Sequence, residues 1–190
     1  MNRLETWFCG SGVWRWVTQK RLLPWLLQGT ELGDHALELG AGTGPATEEL
    51  RKRASRVTSL EYDHASAARL HLRINGANGS VIRGDVASLP FANGIFSSAI
   101  AILMLHHLHS KELQDRAFAE IRRVLRPNGV FLVFEIPDSR WHRIEHFRST
   151  FVPLDPDHVN ARLTSAGFSR ATVDLRRGGL RIQAFRTPNG

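Results

Sequence analysis

A doubly wound α/β sheet is the fold class this chain predicts, and three observations predict it. Short apolar runs alternate with helical patterns along most of the 190 residues, the alternation of a largely parallel sheet. The first apolar run ends in Gly40, Gly42 and Gly44, and a helical pattern follows at once. Near the end, two strand-like runs meet at Gly178-Gly179, which reads as a hairpin that sets an antiparallel strand in the sheet.

The runs at 35–39, 56–61, 80–83, 95–103 and 130–136 read as five strands, and those at 171–177 and 180–186 bring the sheet to seven. Helical spacing at 45–54, 64–75 and 110–126 supplies the crossovers, and 157–166 reads as a further helix. Ser110 caps the third of these, whose Leu113, Ala117, Ile121, Val124 and Leu125 share one face, and Pro127 and Gly129 stop it. Arg122, Arg123 and Arg126 fall in its last turn, where the helix dipole favours cations.

Residues 1–34 form a different segment, a Trp-rich helical leader ahead of a 35–190 domain, with no linker between them and a single domain overall. Trp7, Trp14, Trp16 and Trp25 are interleaved with Phe8, Arg15, Lys20 and Arg21, a composition suited to a lid over a cleft or to plain packing on the sheet. A third reading, contact with a membrane surface through residues 22–27, ranks below these because Pro24 is expected to interrupt the helix.

The single cysteine, Cys9, excludes an internal disulfide and a Cys-rich metal cluster. Charged residues and Pro24 keep the early apolar runs too short for a secretory or spanning segment, so the expectation is a soluble, cytoplasmic protein. Net charge is +7, yet the 22 arginines recur singly through almost every segment. A nucleic-acid footprint clusters its cations on one face, so nucleic acid is a poor expectation as partner.

The glycine turn carries the chemistry. Gly40, Gly42 and Gly44 can adopt φ > 0 and let main-chain N–H groups approach a nucleotide-like ligand. Glu61, 19 residues after Gly42 at the end of the second strand, is placed to accept hydrogen bonds from both hydroxyls of a ribose. Asp85 ends the third strand, and strand ends converge on one crevice in such a sheet. The plainer alternative makes Glu61 and Asp85 ordinary loop acids that cap the next segment.

With these residues in view, the chain resembles the class I S-adenosylmethionine-dependent methyltransferases, a Rossmann-like family, and within it the small-molecule branch related to quinone-biosynthesis methyltransferases. The resemblance runs from about His35 to Phe185 through LELGAGTG (37–44), VTSLEYD (57–63), VIRGDVASLPF (81–91), FSSAIAILMLHHL (96–108) and EIRRVLRPNGVFLVFE (120–135). It implies S-adenosylmethionine as methyl donor and S-adenosylhomocysteine as product, with no metal. Gly40, Ala41, Gly42 and Gly44 would wrap the methionine and ribose, with Glu38 beside the amino group. Glu61, followed by Tyr62, would hold the ribose hydroxyls, Asp85 and Val86 would meet the adenine, and Ala101 and Ile102 would pass near the methionine. Ser97 stands where the family often has Asp, and Asn128 replaces a common Gly before Gly129.

The acceptor would be a small molecule of aromatic, quinone-like or lipidic character. His106 and His107, just past the fourth strand, are candidates for a general base if the acceptor must lose a proton, and a structural role is the competing reading. Trp7, Trp14, Trp141, His142 and His146 are candidates for shaping an acceptor pocket, and the histidines lack metal-ligand spacing. An NAD-dependent oxidoreductase shares the glycine turn and the ribose acid, but Pro45 stands at the third glycine of G-x-G-x-x-G, and the terminal hairpin does not fit a second mononucleotide half. A nucleic-acid methyltransferase or RNA binder rests on the basic charge alone. The chain lacks the Asn/Asp-Pro-Pro-aromatic tetrapeptide of base methylation and a cysteine after the fourth strand.

Overall fold

Seven strands form one sheet in the order β3-β2-β1-β4-β5-β7-β6. The strands are β1 (His35–Leu39), β2 (Arg56–Glu61), β3 (Gly79–Arg83), β4 (Phe96–Ile102), β5 (Leu125–Glu135), β6 (Phe168–Arg176) and β7 (Gly179–Arg186). β1 to β5 run parallel, while β7 lies antiparallel to both β5 and β6, so the hairpin closes one edge of the sheet. This computed structural model describes residues 11–74, 76, 78–139, 150–176 and 178–188.

The pleat sorts the side chains. Leu37, Leu39, Ala99, Ala101, Phe131 and Val133 face α5 (Lys111–Val124) in the larger core, together with its Ala117, Phe118 and Ile121. Ala36, Ile100 and Leu132 point the other way, into a core filled by Leu22, Leu23, Leu26, Leu27 and Leu32 of the leader. Residues 22–32 of the leader are therefore packing for one face of the sheet.

The described part of the leader, from Ser11 on, comprises α1 (Gly12–Val17), a π turn (Thr18–Leu22) and α2 (Leu23–Leu26). The Ser11 hydroxyl accepts from the Trp14 amide at 3.1 Å and caps it. Pro24 does not interrupt the helix, contrary to the reading above. A proline inside an α-helix clashes with the carbonyl four residues back, and the wider π turn carries the chain through this stretch. The last strand holds the leader in place. Arg181 Nε donates to the Leu26 carbonyl at 3.1 Å and Nη2 to that of Gln28 at 3.0 Å, and Gln183 donates to the Thr30 hydroxyl at 2.8 Å.

The other helices among the described residues are α3 (Thr47–Leu50), α4 (His64–Arg73) and α6 (Val159–Ser165). Asp63 caps α4 through the Ser66 amide at 2.8 Å, and Ser110 caps α5 through Leu113 at 3.3 Å. The chain passes from α5 directly into β5, and Asn128 takes φ +63, the left-handed region that asparagine tolerates better than most residues. Ser97 accepts from the His35 amide at 3.0 Å and donates to the Leu32 carbonyl at 2.7 Å, so the serine pins the entry to β1.

Candidate cofactor and acceptor site

All three glycines of the turn after β1 have positive φ: 68° at Gly40, 53° at Gly42 and 79° at Gly44. Their surroundings differ. A Cβ on Gly40 would lie 2.7 Å from Met104 Cβ, and one on Gly44 2.3 Å from Leu70 Cδ1, so these two are glycine because the fold is closed around them. A Cβ on Gly42 would meet nothing within 4 Å. Its open side is a cradle that only a side chain or a ligand would fill.

The Gly40 and Ala41 amides donate to the Leu60 carbonyl at 2.9 and 3.2 Å, which ties the turn to the end of β2. Glu61 completes the tie. Its Oε2 accepts from the Gly42 amide at 2.7 Å and its Oε1 from Asp63 at 2.9 Å. A carboxylate offers about four lone-pair sites, so two acceptor positions remain on Glu61 at the lip of the cradle.

Glu38, buried on β1, accepts the Thr47 hydroxyl at 2.5 Å and the Ser59 hydroxyl at 2.7 Å on Oε2. Burial pushes its carboxyl up to about 7 against the pull of those hydroxyls, and the nearby Glu61 adds to the rise. A cation arriving beside this acid would draw off its proton.

Gly84 donates to the Glu61 carbonyl at 3.1 Å, which brings the end of β3 alongside. Asp85 is exposed and accepts the Ala87 amide at 2.9 Å through Oδ1, while Val86 is buried in the larger core. Tyr62 is 73% exposed beyond β2. Ala101 is buried and Ile102 half-buried at the end of β4, next to β1. The structure thus gathers Glu38, the glycine turn, Glu61, Asp85 and the end of β4 at the carboxyl ends of neighbouring parallel strands, where such sheets bind ligands.

His106 and His107 lie in a 3-10 turn (Leu105–His107) after β4, with ring centroids 4.1 Å apart. His106 is buried and its Nδ1 pairs with Glu135 Oε2 at the end of β5. His107 Nδ1 lies 3.4 Å from the Thr150 carbonyl, and burial, reinforced by His106, pulls its imidazole down to about 4. Sequence reasoning missed Glu135. Its signal was there: an acid ending an apolar strand, in the same relation to β5 as Glu61 to β2.

The leader reaches the turn through Gln19, which donates to the Pro45 carbonyl at 3.2 Å and to Glu48 at 3.3 Å. Glu48 also pairs with Arg73, whose guanidinium holds the Thr43 carbonyl. Trp14 packs half-buried against the smaller core, Trp25 stands edge-on to Phe134 at 5.8 Å, and Trp16 is 54% exposed beneath Arg21. Trp7, Trp141, His142 and His146 lie outside the described residues. Among the described residues no group of His, Cys, Asp and Glu could hold a metal ion, and no helix is long and apolar enough to cross a membrane. A hollow of about 330 Å³ bordered by Arg170, Phe185 and Pro188 lies on the terminal hairpin, away from these strand ends.

S-adenosylmethionine suits this donor set. Its ribose diol matches the spare acceptors of Glu61, its ammonium matches a buried acid poised near neutrality, and the open side of Gly42 leaves room for backbone approach.

Fold and strand-end acids together define a class I methyltransferase architecture. The family described as methyltransferase domain matches residues 37–133. A probable S-adenosylmethionine-dependent methyltransferase of Mycolicibacterium smegmatis is 31% identical over 172 residues, 80% of this chain and 63% of that protein. The ornithine lipid N-methyltransferase of Singulisphaera acidiphila is 34% identical over 149 residues, 74% of each chain. The DhpI-SAH complex superposes with a TM-score of 0.78 over 97% of this chain and 92% of that one, and at 21% identity the likeness is one of fold. The chain belongs to the class I S-adenosylmethionine-dependent methyltransferases.

Proposed function

We propose that this protein transfers the methyl group of S-adenosylmethionine to a nucleophile on a small molecule of aromatic, quinone-like or lipidic character. The observation that carries the donor half is the clasp of Glu61 on the Gly42 amide, beside a glycine face with nothing within 4 Å of it. The ornithine lipid methyltransferase, matched over 74% of its length, supports the acceptor class.

When bound, the sulfonium supplies an electrophilic methyl and a neutral thioether leaving group. The chain's own work is then to hold and to exclude water. Glu61 holds the ribose hydroxyls, Glu38 receives the ammonium, Asp85 accepts from the adenine amino group and the Val86 amide meets the ring edge. Gly40, Ala41, Gly42 and Gly44 with Tyr62 shape the donor bed, and Ala101 and Ile102 floor it. Fixing nucleophile and methyl in line supplies about 7–11 kcal/mol in favourable cases, so a dedicated catalytic residue is needed only where the acceptor must lose a proton. His107, neutral above about pH 4, is one acceptor for such a proton, and His106 is the other candidate. Trp14, Trp7, Trp141, His142 and His146 are the candidates for the acceptor side.

Equilibrium binding of S-adenosylmethionine to the wild type, Gly42→Arg and Glu61→Ala tests the donor half. Binding that is lost in the variants supports it, and a wild type that prefers NADH overturns it. Incubation of isotopically labelled donor with cell extract then tests the acceptor half. Label in a small organic or lipid product supports the reading, and label in RNA overturns it.

A further inference from the structure

The turn after β4 is held from beneath by one buried carboxylate. Glu135, fully buried at the end of β5, accepts the Met104 amide at 3.0 Å and the Leu105 amide at 2.7 Å on Oε1, and pairs through Oε2 with His106 Nδ1. Three consecutive residues thus converge on one side chain, which caps amides that the short 3-10 turn cannot satisfy itself. Leu103, just before them, is forced to φ +51, a region costly for a residue of its shape.

The turn joins the glycine loop to the 150–152 segment. On one side Met104 fills the space that a Cβ on Gly40 would need, so the turn backs the donor bed. On the other, the His106 carbonyl accepts the Val152 amide at 2.8 Å, and Gln114 bridges the carbonyls of Leu105 at 3.1 Å and Val152 at 2.7 Å. Phe151 stands edge-on to the His106 ring at 5.5 Å.

We infer that Glu135 is a positioning residue: it sets the turn that lies between the donor bed and the 150–152 segment, and it fixes the tautomer of His106. A carboxylate only accepts hydrogen bonds, so the imidazole facing it must carry its proton on Nδ1. In the neutral ring Nε2 then keeps its lone pair, the state required of an acceptor on the far side of the ring. Glu135 acts through Met104 and His106 and touches neither donor nor acceptor itself.

Histidine nitrogen NMR reads the tautomer directly at a pH about 2 units above the ordinary imidazole value, with His106→Asn to assign the signal. The wild type is expected to show His106 protonated on Nδ1 alone. In Glu135→Gln the amide oxygen remains with the Met104 and Leu105 N–H groups, so its NH2 faces His106 and the proton moves to Nε2. A merely space-filling Glu135 would not produce that exchange. A wild-type His106 with a proton on Nε2, or a Gln variant with an unchanged pattern, overturns the inference.

Donor affinity is the second readout, and only this arm rests on the proposed methyl transfer. S-adenosylhomocysteine should bind Glu135→Gln within about threefold of the wild type and Glu135→Ala about tenfold or more weakly, because the Ala variant strands two buried amides and frees Met104 from Gly40. A folded Ala variant with wild-type affinity overturns the inference. If Glu135→Ala does not fold, the Gln variant's tautomer decides. A wild type that binds no S-adenosylhomocysteine overturns the donor reading, while the tautomer result still decides the role of Glu135.

Discussion

Replacing Glu38 by Gln should stabilise the protein and damage it as a donor-binding protein, and the stabilisation should depend on pH. Burial lifts the Glu38 carboxyl from 4.5 to about 7. The folded chain therefore keeps this proton where the unfolded chain has released it. Below about pH 4.5 both states are protonated and the group costs little. Between pH 4.5 and 7 the wild type loses stability as pH rises, and above 7 the whole penalty, about 3 kcal/mol, is present. A Gln carries no such penalty and keeps one oxygen for the Thr47 and Ser59 hydroxyls. Its amide NH2 gains a desolvation cost of its own, so the net gain at pH 8 is about 2 kcal/mol, against under about 1 kcal/mol at pH 5. Urea unfolding of both proteins at the two pH values measures this, with midpoint and slope read together. A difference that is the same at both pH values, or a wild type that is the more stable at pH 8, refutes the account of Glu38 as a buried acid held near neutrality.

The same carboxyl predicts that wild-type affinity for S-adenosylmethionine is flat above pH 7 and falls towards about tenfold per pH unit below it, since binding an ammonium there expels a proton; titration calorimetry in buffers of different ionisation enthalpy would show the release. Gly42→Arg should fold, at a cost of about 1–2 kcal/mol for its left-handed backbone, and lose donor binding, whereas Gly40→Ala meets Met104 and should lower the melting temperature more; the two variants exchanged in effect would refute the assignment of the open face. Glu61→Ala should weaken donor binding by about tenfold or more through the loss of both hydroxyl acceptors and of the Gly42 anchor, seen by equilibrium binding. His107 is held down to about 4, so the folded wild type gives up stability as pH falls from 6.5 towards 4; His107→Gln should flatten that limb in thermal melts, and an unchanged slope would count against a half-buried, neutral ring.

The strand ends that make the site were legible because turn chemistry and apolar runs coincide there. β1 and β2 fall at residues 35–39 and 56–61 as the sequence reads them, since each is an apolar run cut off by a glycine or acid. Regular helix after the glycine turn covers only Thr47–Leu50 of the 45–54 pattern, with no side chain capping it at Ala46. β6 starts at Phe168, ahead of the reading, because Ser169 and Arg170 lie exposed on an edge strand and mask the alternation. The leader's proline misled, since a π turn is not encoded by any local residue preference. The place of Glu135 at the end of an apolar strand was legible, but its role was not. Its importance comes from three partners on a turn some thirty residues away, and local periodicity carries no such information.

The bonds from Arg181 and Gln183 to residues 26–30 carry a consequence for biosynthesis. The leader is synthesised before the sheet, yet the surface that receives it includes Val130 and Leu132 of β5 and these two side chains of β7. Leu22, Leu23, Leu26 and Leu27 must therefore wait, apolar and uncovered, until some 150 later residues have been translated and the hairpin has closed. Chaperone capture of nascent chains should accordingly centre on residues 22–27 and end only when β7 is added.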